Sequence, residues 1–350
     1  MAPAQPARAE AATGAVEPAS SLCKDGAQVP ALSDFPPAFL LTFAVTFGLL
    51  WGSFLNVVIH RVPRGESVVS PSSRCPHCGT PIKPWHNLPV VSFLLLRGKA
   101  PCCGARISPR YPLVELLGGL LAAAIIQLIV LSLPTDTPIL TAVGLFAVHL
   151  ALGLILIALA LIDLEYMLLP DSLTLGGAAL GIASATLRGG SFFESLLGAA
   201  IGFAIVYLPF DLLYRALRGQ PGMGLGDAKL TLLAGAWFGW KGALFSLFAG
   251  AIQATVVALV VFATRGRIEE PDAVVREREE LEAAILSAEG EERAELERER
   301  DLDPVLRRPE PGWGKARMPF GPFLALATLE YQLFAGAGLN ELLEALFPAT

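Results

Sequence analysis

Charge is scarce in this sequence. Only 17% of its 350 residues are charged and 53% are hydrophobic, whereas an ordinary soluble domain has about 25% charged residues. Five cysteines are too few for a disulfide scaffold, and a net charge of −6 has the wrong sign for a face that binds nucleic acid. This composition excludes a disordered chain, a secreted mini-scaffold and a nucleic-acid binder. It predicts a polytopic membrane protein in contact with the lipid bilayer.

The first 36 residues are not expected to act as a signal sequence. They are rich in Ala, Pro, Ser and Gly and contain no apolar run, so they do not have the apolar core of a signal peptide. We predict a disordered tail here, with Cys23 as a free thiol.

Long apolar runs predict an all-α fold of about eight transmembrane helices. The first run, Ala38–Ile59, is long enough to cross a hydrocarbon core about 30 Å thick. The later runs cover 112–133, 138–162, 171–187, 195–214, 228–240, 242–264 and 319–339. A tight turn is predicted at Gly239–Gly242, between the sixth and seventh runs.

The chain therefore divides into six parts. They are a tail (1–36), a first transmembrane helix (37–59), a cysteine-containing loop (60–110), a transmembrane core (111–264), a charged insert (265–318) and a last transmembrane helix with the C-terminus (319–350). The 60–110 loop has eight Lys and Arg residues against one acidic residue, Glu66. The positive-inside rule therefore predicts that this loop is cytoplasmic and that both termini lie outside, in a bacterial inner membrane.

The insert holds 27 of the 58 charged residues within 54 positions. Its apolar residues are too sparse for a strong core stripe, so a solvated charged helix or helical hairpin is expected. A docking arm for a partner protein is the alternative.

Two carboxylates are placed where chemistry is expected. Asp163 ends the third apolar run, and Asp227 follows Gly224 and Gly226 at the start of the sixth. A carboxylate at a membrane boundary is costly enough to suggest function, and the glycines permit close approach of a bound peptide. Two carboxylates in one partly desolvated site share a proton. The ionised carboxylate can then act as the base that activates water, and the protonated one as the acid that protonates the leaving amine. Because Asp227 begins a helix and lies two residues from Lys229, we predict that it is the base and Asp163 the acid.

Other membrane carboxylates and polar residues have simpler interpretations. Asp171 follows Pro170 at a helix start and is predicted to be an N-cap. Asp211 and Arg215 have the spacing of an ion pair on a helix. Interhelical hydrogen bonding explains the intramembrane polar residues as well as a function does; these are Glu115, His149 and Glu330.

The cytoplasmic loop contains a candidate metal site. Cys75 and Cys78 form a Cys-x-x-Cys-Gly knuckle, which is typical of structural zinc. The second pair, Cys102 and Cys103, is adjacent instead of two residues apart. We predict zinc held by Cys75, Cys78 and Cys103, with Cys102, His77 or His86 as the fourth ligand.

Several motifs together resemble those of the bacterial prepilin leader peptidases, in the order expected for that family. They are Gly52–Pro63, the cysteine loop, Asn87–Pro89, Leu96–Lys99, Ile107–Pro112, Leu169–Asp171, Gly224–Asp227 and Pro319–Phe323. The resemblance covers about 38–264 and 317–340.

The resemblance implies a bifunctional aspartic membrane enzyme. Such enzymes cleave the leaders of type IV prepilins or of type II secretion pseudopilins after a glycine. They then N-methylate the new first residue, usually Phe, with S-adenosylmethionine. It also implies that Asp163 and Asp227 are catalytic, with support from Gly224, Gly226, Lys229 and Asp171, and that methyltransfer involves Gly98 and Lys99.

The chain departs from the family at two places. Ala100 stands where the family has the first cysteine of its second knuckle, and the insert lengthens the last connection. A leader peptidase without methyltransferase activity is therefore one alternative. An ion-coupled transporter is a second alternative, but the sequence has no paired half-repeats with broken helices. A third is an assembly subunit that binds prepilins without cleaving them, which would not require both aspartates. The oligomeric state is not predicted.

Overall fold

A computed structural model describes residues 29–218, 223–266, 270–302, 305–306 and 318–334. Cys23 lies outside these residues. The described residues contain helices and isolated bridges but no β-strand, as the apolar runs predict.

The helices follow the predicted runs closely. In chain order they are α1 (Pro37–Arg61), α2 (Val91–Leu95), α3 (Arg110–Ile125), α4 (Ile139–Tyr166), α5 (Asp171–Ala183), α6 (Phe192–Val206), α7 (Tyr214–Arg218), α8 (Leu225–Arg265), α9 (Asp272–Ser287), α10 (Gly290–Leu302) and α11 (Gly321–Phe334). Short π-helical segments extend α3 and α6, at Ile126–Val130 and Tyr207–Leu213.

Five helical segments of the described chain are long and apolar enough to cross a membrane: Pro37–Arg64, Arg110–Val130, Ile139–Tyr166, Phe192–Leu217 and Leu225–Arg265. The all-α membrane fold is thereby confirmed, and the number of eight spans stays a prediction.

The 41-residue helix α8 reverses its direction at Gly239. This residue has φ 67° and ψ −169°, a conformation that favours glycine. On either side of it, Thr231 and Ala243 both contact Gly202 of α6, although a straight helix would separate them by about 18 Å. The predicted tight turn at 239–242 is therefore present, and α8 consists of two halves folded against each other.

Glycines allow the helices to pack closely. A side chain on Gly48 of α1 would collide with the Gly118 carbonyl of α3, and one on Gly198 of α6 would collide with the Gly235 carbonyl of α8. Small residues at such contacts are typical of membrane helices, where shape complementarity drives association.

Several helix termini meet at one end of the bundle, which we call the active end. Here α1 and α4 end, and α3, α5, α8 and α11 begin. Arg110 and Glu165 form an ion pair of 2.5 Å between α3 and α4, and the Arg64 guanidinium lies 5.5 Å from the centre of the Tyr166 ring. These contacts hold the cysteine loop next to the end of α4.

The charged insert forms the expected pair of helices, α9 and α10. One face of α9 is nevertheless buried: Val274 is fully inaccessible, and the buried Arg278 pairs with Glu270 at 2.8 Å. This face packs towards α4. The insert is thus better anchored than the solvated helix that its composition predicts.

Candidate active site and cysteine cluster

Asp163 lies in the last turn of α4 and is buried, with 5% of its surface exposed. The backbone N–H of Gly321, the first residue of α11, donates a hydrogen bond of 2.9 Å to its Oδ2 atom. A Cβ atom on residue 321 would lie 2.7 Å from this oxygen. A glycine is therefore needed where α11 begins against the carboxylate.

Asp227 lies in the first turn of α8, after the N-cap Gly224. The Asp227 backbone N–H donates to the Gly224 carbonyl at 3.1 Å, and the Asp227 carbonyl accepts a 3.1 Å hydrogen bond from the Thr231 hydroxyl. Its partly buried side chain interacts electrostatically with Asp163. Two motifs that are 64 residues apart in the sequence thus contribute to one site.

Leu169 packs between the segments that bear the two carboxylates. A Cβ atom on Gly226 would lie 3.0 Å from the Leu169 Cβ, and one on Gly321 would lie 3.0 Å from its Cδ2. The side chain of Leu169 is buried. The Leu169–Asp171 and Gly224–Asp227 motifs therefore meet through packing, and glycines at 226 and 321 make the room.

Asp171 is the first residue of α5, and Pro170 takes the N-cap position. The predicted N-cap role of Asp171 is therefore wrong, because proline already supplies the extended conformation that begins the helix. The Asp171 carboxylate instead forms a 2.5 Å ion pair with the Lys229 ammonium of α8. This ion pair links α5 to α8 at the rim of the site, and the Lys229 ammonium is paired with Asp171.

The other polar residues considered from the sequence have protein partners. Asp211 pairs with Arg215 at 2.7 Å, as predicted. The Gln332 amide donates to the His149 carbonyl at 2.8 Å and lies 3.4 Å from the His149 Nδ1 atom, and the Gln253 amide donates to the Glu330 carboxylate at 2.8 Å. Interhelical hydrogen bonding accounts for His149 and Glu330.

The cysteine loop folds into two knuckles with the same backbone pattern. In the first, the Gly79 N–H donates to the Cys75 carbonyl at 2.9 Å; in the second, the Gly104 N–H donates to the Ala100 carbonyl at 2.8 Å. An isolated bridge closes each knuckle, Arg74 to Pro81 and Lys99 to Arg106. Ala100 therefore occupies the position that corresponds to Cys75.

Cys102 brings a fourth sulfur to the cluster from the middle of the second knuckle. The Sγ atoms of Cys78 and Cys102 are 3.3 Å apart, and those of Cys75 and Cys103 are 3.7 Å apart. All four sulfurs lie within 4.8 Å of one another. Thiolates bound tetrahedrally to zinc at 2.3 Å would be about 3.8 Å apart, so these residues fit a zinc ion.

The thiols of the cluster are electrostatically unequal. Hydrogen bonds with Thr80 lower the pKa of Cys78 to about 6, whereas the neighbouring Cys78 sulfur raises the pKa of Cys102 to about 12. Four sulfurs this close repel as thiolates, and a bound cation removes that repulsion. The cluster is thus suited to a divalent metal.

Gly98 and Lys99 lie at the turn that leads into the second knuckle. Gly98 has φ 66°, and a Cβ atom there would lie 3.2 Å from the Phe93 ring. Its carbonyl accepts a 2.8 Å hydrogen bond from the Ile107 N–H. These two residues therefore position the knuckle and the Phe93 ring.

A cavity of about 630 Å³ lies between the cysteine loop and the active end of α1 and α3. This volume is in the range of small-molecule sites. Its wall includes residues of the transmembrane helices, Asn56, His60 and Glu115, and residues of the loop, Phe93 and Cys102. No single sequence motif predicts this cavity, because its wall is formed by residues from several separate segments.

Two protein-family models match the parts of the chain that form the helix bundle and the cysteine loop. The bacterial peptidase A24 N-terminal domain matches residues 46–129, and the type IV leader peptidase family matches residues 150–259. The chain belongs to the type IV leader peptidase family and is a membrane peptidase.

Similar proteins carry the name prepilin leader peptidase/N-methyltransferase. The protein of Myxococcus xanthus is 35% identical over 330 residues, which cover 89% of this chain and 94% of the relative. That of Stutzerimonas stutzeri is 37% identical over 65% of this chain and 83% of its own length. That of Aeromonas hydrophila is 39% identical over 59% and 75%. No solved structure matches the chain.

Proposed function

We propose that this enzyme cleaves the leader peptides of type IV prepilins or type II secretion pseudopilins and then N-methylates the new first residue. The observation that carries the peptidase function is the pairing of Asp163 with Asp227 at the active end. Each carboxylate comes from a different motif and has a backbone hydrogen-bond partner, Gly321 for Asp163 and Gly224 for Asp227. The names of the similar proteins supply the substrate class.

The two carboxylates divide the work of hydrolysis. One takes a proton from the attacking water, and the other gives a proton to the departing amine. Asp227 begins a helix, where the dipole favours negative charge, so it is assigned as the base and Asp163 as the acid. Gly321 holds Asp163 in place, and the Asp171–Lys229 pair holds the starts of α5 and α8 together.

The methyltransferase function belongs to the cysteine loop and the cavity beneath it. S-adenosylmethionine is the methyl donor expected for such an enzyme, and the cavity is large enough for a nucleoside with an amino-acid chain. Zinc held by Cys75, Cys78, Cys102 and Cys103 would stabilise the loop, because binding energy at a structural site becomes folding energy.

The proposed location is the bacterial inner membrane, with the active end in the cytoplasm. The loop 60–110, rich in Lys and Arg, lies at this end, which supports that orientation. Both termini are then outside.

The test is co-expression of the full chain with a candidate prepilin, followed by mass spectrometry of the pilin. Leader loss with an added methyl group is expected. Leader loss without methylation would identify a peptidase only, and an uncleaved prepilin would refute the proposal for that substrate class.

A further inference from the structure

The cavity beneath the cysteine loop has an uneven charge distribution. Among the described residues that line it, Glu115 is the single acidic one, and it lies at the membrane side on α3. The loop side of the wall is basic and includes Arg74, Lys83 and Arg106. A ligand with a cationic group would therefore place that group at Glu115, and an anionic group would face the loop.

Glu115 is held in place by its neighbours. The Val90 N–H donates a 2.6 Å hydrogen bond to its Oε2 atom, and the Ser53 side chain also hydrogen-bonds to the carboxylate. A carboxylate has about four acceptor positions, so Glu115 keeps capacity for further N–H donors. Its backbone lies against Gly52 of α1, which fixes it at the base of the cavity.

We infer that Glu115 binds the amino group of the cleaved pilin and positions it for methyl transfer in this cavity. The inference rests on the proposed function, since it assigns the acceptor site of the second reaction. The interhelical hydrogen bond that the sequence suggests for Glu115 is present, with Ser53 of α1, and contact with the substrate adds a second role.

The cavity is close to the aspartate pair. Cavity residue His60 interacts electrostatically with Glu165, which is two residues beyond Asp163. Arg110, adjacent to cavity residue Tyr111, also pairs with Glu165 at 2.5 Å. Asp163 and the cavity that contains Glu115 therefore lie at the same end of the helix bundle.

The surface beside Glu115 suits a substrate that stays in the bilayer. Leu113 and Leu116 flank Glu115 on α3 and are 56% and 44% exposed. In a membrane these side chains would face lipid. An apolar pilin segment can approach them laterally while its amino group reaches the carboxylate.

Methyl transfer requires the neutral amine, because the nitrogen of an ammonium group has no free lone pair. The ammonium loses one proton to the Glu115 carboxylate, and the nitrogen lone pair is then free to react. As nitrogen bonds to the methyl carbon of S-adenosylmethionine, the bond from that carbon to the sulfonium breaks and leaves a thioether. The basic residues at the loop side are placed to hold the carboxylate of the methyl donor.

The test compares E115Q with E330Q in the full-length enzyme. Glutamine at 115 keeps an oxygen for the Val90 N–H and removes the charge. Glu330 is a matched control, because it is also a glutamate in a membrane helix with a hydrogen-bond partner, Gln253, and it lies outside the cavity.

We expect E115Q to cleave prepilin at the wild-type rate and to methylate it about 10- to 100-fold more slowly, as loss of a charged hydrogen bond predicts. E330Q should match the wild type in both reactions.

Two binding measurements complete the test. S-adenosylmethionine should bind E115Q as tightly as wild type, and a short apolar peptide that begins with Phe should bind wild type better than its N-acetylated form, a preference that E115Q loses. Normal methylation by E115Q, or loss of methyl-donor binding, would overturn the inference. A wild-type enzyme that cleaves without methylating would refute the proposed methyltransferase function, and the peptide comparison would still decide whether Glu115 binds an amino group.

Discussion

The backbone N–H of Gly321 donates a 2.9 Å hydrogen bond to the carboxylate of Asp163, across 158 positions of sequence. The last described helix thus begins at the proposed active site. This contact gives the Pro319–Phe323 motif a structural role, because the motif brings a backbone donor and a residue without a side chain to the Asp163 carboxylate.

We predict that Gly321→Ala reduces prepilin cleavage by about 10²-fold. A Cβ atom at 321 would lie 2.7 Å from Asp163 Oδ2 and 3.0 Å from Leu169, so the carboxylate or α11 must shift. Displacements of about 1 Å in a catalytic group have effects of this size. Cleavage rates in detergent measure the effect. The control is Gly176→Ala on α5, where a Cβ atom would contact nothing within 4 Å; equal rates for both variants would contradict the prediction.

Asp163→Asn and Asp227→Asn should each abolish leader cleavage, because hydrolysis needs both a base and an acid. Asp171→Asn should keep clear activity. The Asp171 side chain is 61% exposed, and an exposed ion pair contributes about 0–1 kcal/mol. Prepilin processing in cells, with immunoblots for enzyme level, measures all three. Full processing by either Asp163→Asn or Asp227→Asn would remove that residue from the catalytic pair.

The helices and the two candidate carboxylates can be predicted from the sequence because each has a local signal. Apolar run length identifies the membrane helices, and Gly239 identifies the reversal in α8. The Gly-x-Gly-Asp motif identifies Asp227, and a carboxylate at the end of an apolar run identifies Asp163.

Features that depend on tertiary contacts are missed. The donor at Gly321 is a backbone group, so its partner has no signature in residue type. The partner of Asp171 is Lys229, 58 positions away, whereas the local pattern suggests a helix cap. The cavity at Glu115 depends on how the loop folds back over α1 and α3.

The insert offers a test of stability separate from catalysis. Replacing residues 268–312 with a short Gly/Ser linker should preserve leader cleavage, because the described contacts of Asp163 and Asp227 come from α4, α8 and α11. The replacement should lower thermal stability, because it removes the buried side chains of Val274, Arg278 and Ile285 and the contacts that they make. Cleavage and a melting curve on the same preparation check both parts. A variant that inserts in the membrane and is inactive would place the insert in the substrate site.

The cysteine cluster gives the sharpest test, because its fourth sulfur comes from Cys102 and not from position 100, where the knuckle pattern would place it. Ala100 holds the position in the second knuckle that Cys75 holds in the first, and Cys102 supplies the fourth sulfur from two residues further on. We predict about one zinc per chain in the wild type, and that Cys102→Ser lowers the zinc content of dialysed protein. The double variant Ala100→Cys/Cys102→Ser should restore the zinc content, because a cysteine at 100 gives both knuckles the same Cys-x-x-Cys spacing.

Leader cleavage should persist in all of these variants, since Asp163 and Asp227 lie on helices outside the loop. Elemental analysis with product mass spectrometry reports metal, methylation and cleavage together. Unchanged zinc in Cys102→Ser would show that Cys102 is not a ligand, and zinc-free wild-type protein that still methylates would show that the loop functions without the metal.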